Sequence, residues 1–338
     1  MRRFLAEFEK QSYTQIIFPH PQTDWAEYLD EAQKCFVRII QTIQRFQDVL
    51  IVCHDINAVK SHFHNLSHLH FVEYLTDDTW ARDCSALTIE HNHTQELLDF
   101  TFNGWGQKFV AERDNQLTQY LNPQAKKINF VLEGGGVESN GEGLLITTTQ
   151  CMCNPNRNPT LSQEEITNKL YEYFGVTEVL YLYHGYLAGD DTDSHIDTLV
   201  RFISLDTLVY VQCKDAEDQH YQQLKKMEQE LQVFAKKFHL TLLALPLPQA
   251  IYYDGERLPA TYANFLFVNG GVLVPTYGVE EDQKALDIFR TYFQDSREVI
   301  GVDCSVLIRQ HGSLHCITMQ FHSLLSSTGV DLEEGVYR

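Results

Sequence analysis

An α/β fold in which about five strand-strand-helix-strand units close into a propeller-like ring is predicted for this chain, on three observations. The same order of elements recurs along the sequence, with helix starts near residues 162, 217 and 281 that set a period of roughly 55 to 64 residues. The residues equipped for chemistry recur with it: Asp83, Glu133, His195, Asn264 and Cys316 stand 50 to 69 residues apart, each near the start of a hairpin. No linker rich in Pro, Gly or Ser divides the chain, so one domain over residues 1–338 is expected, with any disorder confined to a tail from about 325 to 338.

Taken in order, residues 15–18 form a short apolar strand. Residues 24–46 then place Tyr28, Ala32, Phe36, Ile39, Ile40, Ile43 and Phe46 on one face of a helix. The apolar run 49–53 is a buried strand, and 83–90 with 97–102 a hairpin followed by a short helix over 114–121. A second hairpin, 130–149, turns at Asn140-Gly141. Ser162 and Glu165 make a capping box that opens a helix to about Phe174, and a strand follows over 178–183. The third unit comprises strands 198–204 and 207–213, a helix over 217–238 and a strand over 240–245; the fourth comprises 263–268, 271–276, a helix over 281–293 and 298–302. The first strand and the last, 314–321, are left to complete a unit between them. Equivalent positions in a closed ring converge on its axis, so residues far apart in sequence can share one central site.

Composition narrows the function. At 43% hydrophobic and 21% charged residues the chain is ordinary globular protein. A formal charge of -20 opposes contact with nucleic acid phosphates and favours a cationic small molecule. No run of about 18 apolar residues offers a membrane span, and acidic residues interrupt the basic start Met1-Arg2-Arg3, so a soluble cytoplasmic protein is expected. Its eight cysteines are expected to be reduced, most of them small core residues; Cys151 and Cys153 match no redox or zinc spacing.

Four segments carry chemistry. Cys316, in Leu314-His315-Cys316-Ile317-Thr318, is a candidate nucleophile, which needs neighbours that favour the thiolate. His195 lies among Asp190, Asp191, Asp193 and Asp197, a crowding of carboxylates that is costly unless something positive binds there; on a strand, His195 and Asp197 would face the same side. Trp80 and Asp83 suit a flat delocalised cation, one as a wall and the other as a bidentate partner. Glu133-Gly134-Gly135-Gly136 lacks the Lys and Ser/Thr of a phosphate loop, so its glycines are expected to let backbone approach a substrate closely, with Glu133 buried at the ring centre. The histidines between His62 and His70 are read as solvated or capping side chains, since no cysteine or acid stands at ligand spacing.

These segments, together with Ala6-Glu7-Phe8, Phe18-Pro19-His20 with Trp25, Phe102-Asn103-Gly104-Trp105-Gly106, Asn154-Pro155-Asn156-Arg157-Asn158-Pro159 and the stretch from Asn264-Phe265 to Val274-Pro275, resemble almost end to end the agmatine deiminases. These form part of the Porphyromonas-type peptidyl-arginine deiminase family of guanidino-group-modifying penteins. The resemblance implies a five-bladed α/β propeller with Cys316 as nucleophile, His195 as general acid/base, Asp83 and Asp197 as guanidinium-holding carboxylates, Glu133 as an ordering acid and Trp80 packing on substrate. Asp191, Asp193 and Asn264 complete the expected substrate-binding set. It further implies agmatine as substrate, N-carbamoylputrescine and ammonia as products, a place in putrescine synthesis, and no cofactor or metal; self-association stays open. Deimination of free or peptidyl arginine is the nearer alternative, and a metal-dependent hydrolase using the His and Asp clusters the remoter one. Two departures fall at the pocket rim: His311-Gly312-Ser313 where many relatives have Gly-Gly-Asn, and Asp191 where they often have Glu.

Overall fold

Residues 2–322 are described in the computed structural model; the tail from about 325 lies outside them. Five sheets repeat one plan, in which a first strand pairs antiparallel with a second and the second pairs parallel with a third. A tight hairpin can join the first pair, whereas a parallel pair needs a crossover, and a helix supplies it. The strand triplets are Leu87–His91, Thr94–Thr101 and Lys126–Val131; Glu138–Ser139, Leu144–Thr148 and Glu178–Leu182; Val200–Phe202, Thr207–Gln212 and Thr241–Pro246; and Leu266–Val268, Gly271–Thr276 and Glu298–Asp303. The fifth joins the two ends of the chain: Thr318–Phe321 pairs with Tyr13–Ile17, Thr318 opposite Ile16 and Phe321 opposite Tyr13, and Asp48–Cys53 follows in parallel. The ring is thus closed by β-pairing between its first and last units, as the leftover terminal strands require.

The helices sit where the periodicity puts them. Leu29–Ile43 buries Ala32, Phe36, Ile39, Ile40 and Ile43 completely, and Ser162 caps Gln163–Phe174 through the reciprocal bonds of a capping box. The helix expected from 217 starts instead at Tyr221. The Asp218 carboxylate accepts the His220 backbone N–H at 2.9 Å, which holds that stretch in a turn. Four strands have no counterpart in the repeat: Leu69–Glu73 extends the closing sheet, Arg2–Phe4 extends that of Leu87–His91, and a small hairpin pairs Tyr252–Tyr253 with Glu256–Arg257. The eight cysteines are free and mostly buried. No helix among the described residues is long and apolar enough to cross a membrane.

The chemically equipped residues do not lie in the hairpin strands but just before them. Asp83 is in the short helix Ala81–Cys84, His195 precedes the 3-10 turn Ile196–Thr198, and Cys316 is in the turn that ends at Thr318. Local bonds hold these segments out of the sheets: the Thr198 N–H donates to the His195 carbonyl, that of Thr318 to His315, and that of Arg82 to the carbonyl of Cys316. Strand alternation therefore does not explain why His195 and Asp197 lie together; a tight turn does.

Candidate active site

Gly135 marks the centre. A Cβ placed on it would lie 2.6 Å from Nδ1 of His195, 3.0 Å from Oδ1 of Asp83 and 3.1 Å from Oδ2 of Asp197, so three residues spread over 115 positions converge on one backbone atom. The glycine run leaves room for these side chains, and the Gly135 N–H adds a bond to Asp83 Oδ1 at 3.0 Å. Cys316, Asp83, Trp80 and Asp191 line a cavity of about 190 Å³ that also takes in Asp24, Asp78 and Trp105. Trp80 lies flat against the turn before the cysteine, where a Cβ on Gly312 would come within 2.1 Å of its ring. That contact leaves room only for glycine at position 312, which the relatives' Gly-Gly-Asn also has; the departures are at His311 and Ser313.

Each reactive group has a holder. Asp83 accepts the Trp105 indole N–H at 3.0 Å, and Trp105 itself adopts φ 55°, an uncommon left-handed backbone for a bulky residue. Asp197 Oδ2 is 2.7 Å from His315 Nδ1, whose Nε2 is 2.5 Å from Glu7; Arg201 then joins Glu7 to Glu138 through bonds of 2.7 Å. The other Asp197 oxygen, Oδ1, is buried without a hydrogen-bond partner among the described residues. Asn264 stands beneath the nucleophile: its Oδ1 accepts the His315 N–H at 2.8 Å and is 3.4 Å from the Cys316 sulfur. It holds the turn and, like His195, Asp197 and Glu133, lies behind the residues that line the cavity. Glu133 lies behind His195, 3.8 Å from Nε2, and is gripped by the guanidinium of Arg157 at 2.8 Å.

The acids around His195 divide their tasks. Asp190 accepts the backbone N–H of Ser194 and the hydroxyl of Thr192, tying the loop. Asp191 faces the cavity. Asp193 does not: its carboxylate bonds to Arg157 and to Lys108, each at 2.8 Å, so the geometry gives it a loop-holding place instead of a substrate-binding one. Positive charge for Asp193 comes from Arg157 and Lys108, while Asp197 is bonded to the His315 ring.

Electrostatics follow from burial. Desolvation disfavours charge on His195, but Asp83 beside it, with Cys151 and Glu133, outweighs this and carries its pKa well above the ordinary value. For Cys316 burial and the carboxylates of Asp197 and Asp83 act together and push the thiol well up. Burial raises Asp83 despite His195, whereas His315 lowers Asp197 against its burial. Asp78 is pushed up to about 7 by burial and by nearby Asp24. For Cys316 and His195 the directions favour a protonated sulfur and an imidazolium among these carboxylates, a setting that suits a bound cation.

Sequence reading missed Trp105, His315, Arg157 and Glu7 as individual actors, although each stands in one of the segments that carried the resemblance. Their types gave no signal alone, because an arginine that holds a glutamate looks like any other until the fold brings them together.

The family model of the Porphyromonas-type peptidyl-arginine deiminases matches residues 3–321. A Vibrio parahaemolyticus protein provisionally named an agmatine deiminase is 30% identical, over 94% of this chain and 96% of its own. Among solved structures, a C. jejuni agmatine deiminase with a cysteine-to-serine change and substrate bound superimposes at a TM-score of 0.92 with 38% identity, covering 96% of this chain and 97% of its own. A structure from Porphyromonas gingivalis, provisionally named an arginine deiminase, gives 0.90 with 46% identity over 95% and 98%.

Proposed function

From the premise that the chain belongs to the Porphyromonas-type peptidyl-arginine deiminase family, we propose that it is an agmatine deiminase, hydrolysing agmatine to N-carbamoylputrescine and ammonia through a covalent intermediate on Cys316. The observation that carries this is the buried carboxylate oxygen of Asp197 left without a partner beside a thiol whose proton is retained by two aspartates. A planar guanidinium cures both defects, since its N–H groups satisfy the oxygens and its charge offsets the carboxylates.

When the guanidinium binds between Asp83 and Asp197, the electrostatic penalty on the thiolate falls and the Cys316 proton leaves to solvent. The sulfur attacks the guanidinium carbon and forms a tetrahedral adduct. Imidazolium His195 gives its proton to one nitrogen, the C–N bond breaks and ammonia departs, leaving an S-alkylthiouronium. Neutral His195 then takes a proton from water, the hydroxide adds to the same carbon, and as the C–S bond breaks the new hydroxyl loses its proton to solvent, releasing the ureido product and the thiolate. Agmatine carries a second positive charge at its far end, and the cavity offers Asp24, Asp78, Asp190 and Asp191 for it. Those acids would repel the α-carboxylate of free arginine.

The likeness to the P. gingivalis structure named for arginine favours a second reading, deimination of arginine itself. Ammonia release measured side by side on agmatine, free arginine and an arginine-containing peptide decides between them. Agmatine is expected to lead by orders of magnitude; comparable turnover of arginine would discard the agmatine assignment.

A further inference from the structure

Behind His195, on residues that the proposed reaction does not use as a set, lie the ingredients of a transition-metal site. The ligating atoms of Glu133, Cys151 and His195 all lie within 4.8 Å of one another and the three residues are buried. His195 Nε2 is a buried nitrogen with no hydrogen-bond partner among the described residues, and it stands 3.8 Å from Glu133 Oε2. Backbone closes around the group, because a Cβ on Gly136 would be 3.2 Å from the Cys151 sulfur and 3.9 Å from His195 Nε2. Cys151 is placed by the short helix Thr149–Met152, whose first turn is capped by the Thr148 hydroxyl.

We propose that Glu133, Cys151 and His195 form an inhibitory site for a zinc-like divalent ion, which switches the enzyme off by occupying His195. One imidazole, one thiolate and one carboxylate are a ligand set that zinc accepts, with a fourth position left open. Tetrahedral bonds of about 2.0–2.3 Å need ligand separations of roughly 3.3–3.6 Å, so the widest pair has to close by about an ångström. Charge balances: the thiol and the imidazolium each release a proton, and a dication then faces one thiolate and one carboxylate. Arg157 leaves Glu133 able to accept a metal, since a carboxylate has more lone pairs than that guanidinium engages. The nucleophile Cys316 is no part of the site.

That the ion inhibits rests on His195 being the acid/base proposed above; that it binds does not. The test uses the full chain with Zn²⁺ and Co²⁺ alone. One ion per chain is expected, with an X-ray absorption shell of a single sulfur plus nitrogen and oxygen, and with a sulfur-to-cobalt charge-transfer band that survives Cys316→Ser and is lost in Cys151→Ala and Cys151→Ser. Zn²⁺ should slow ammonia release, EDTA should restore it, and either Cys151 variant should raise the half-inhibiting zinc concentration at least about tenfold, as loss of a ligand demands. A shell without sulfur or with two sulfurs, or a band that follows Cys316, overturns the site, and the absorption measurement on the unmodified chain decides even where a Cys151 variant does not fold. A chain that binds the ion as described but never deiminates agmatine overturns the proposed function and leaves the site standing.

Discussion

Replacing Gly135 by alanine puts a methyl group where three side chains of the proposed catalytic set, His195, Asp83 and Asp197, meet. The new carbon would stand 2.6 Å from His195 Nδ1, whereas ordinary contact begins at 3.4 Å, so the imidazole or the loop has to give by about 0.8 Å. Asp83 and Asp197, at 3.0 and 3.1 Å, block movement in two other directions. Misplacing a catalytic group by about 1 Å can cost around 10²-fold in rate, or about 2.7 kcal/mol of transition-state stabilisation. The expected result is therefore a loss of kcat/KM for agmatine near a hundredfold, with a smaller loss of stability, about 1–3 kcal/mol for an overpacked site. Steady-state ammonia release at a temperature well below the melting transition measures the first, and thermal unfolding the second. Gly136→Ala is the control: its Cβ meets the Cys151 sulfur at 3.2 Å and stays 3.9 Å from His195, so only a few tenths of an ångström are asked of its neighbours. If Gly135→Ala retained activity within threefold while folded, convergence on this backbone atom would not be what sets the catalytic geometry.

Cys316→Ser should abolish turnover yet keep agmatine binding by calorimetry, because the carboxylate clamps persist while a hydroxyl is a far weaker nucleophile; measurable turnover in that variant would exclude the covalent route. His195→Ala should accumulate an adduct on Cys316 detectable by mass spectrometry of the intact chain, provided the sulfur and not water attacks first. Trp105→Phe removes the N–H that Asp83 accepts at 3.0 Å and should cost about tenfold in kcat/KM, on the scale of about 1.5 kcal/mol for a hydrogen bond to a charged group. Asp78 titrates at about 7, raised by burial and Asp24, so it is neutral below that pH and anionic above it. The KM for agmatine should accordingly fall as pH rises through 7, and Asp78→Asn should flatten that dependence; an unchanged profile would place the distal ammonium elsewhere.

What the sequence determined by itself is the repeat and the candidates for the reacting groups. Hydrophobic periodicity marked Leu29–Ile43, a capping box marked Gln163–Phe174, and the leftover strands at the two ends could satisfy their edges only by pairing, which is why ring closure was legible. Cys316, His195, Asp83 and Asp197 could be named because few residue types do such chemistry and their segments are distinctive. The tertiary structure decided which partner each of these has. Nothing local says that Trp105 holds Asp83, that His315 spans Asp197 and Glu7, or that Asp193 turns to Arg157 and Lys108 instead of the cavity. Nor does local spacing reveal that Cys151 lies behind His195. Periodicity reports which face of an element is buried, while hydrogen-bond partners and pKa shifts depend on distances between elements, and those exist only once the five sheets have closed on their common centre.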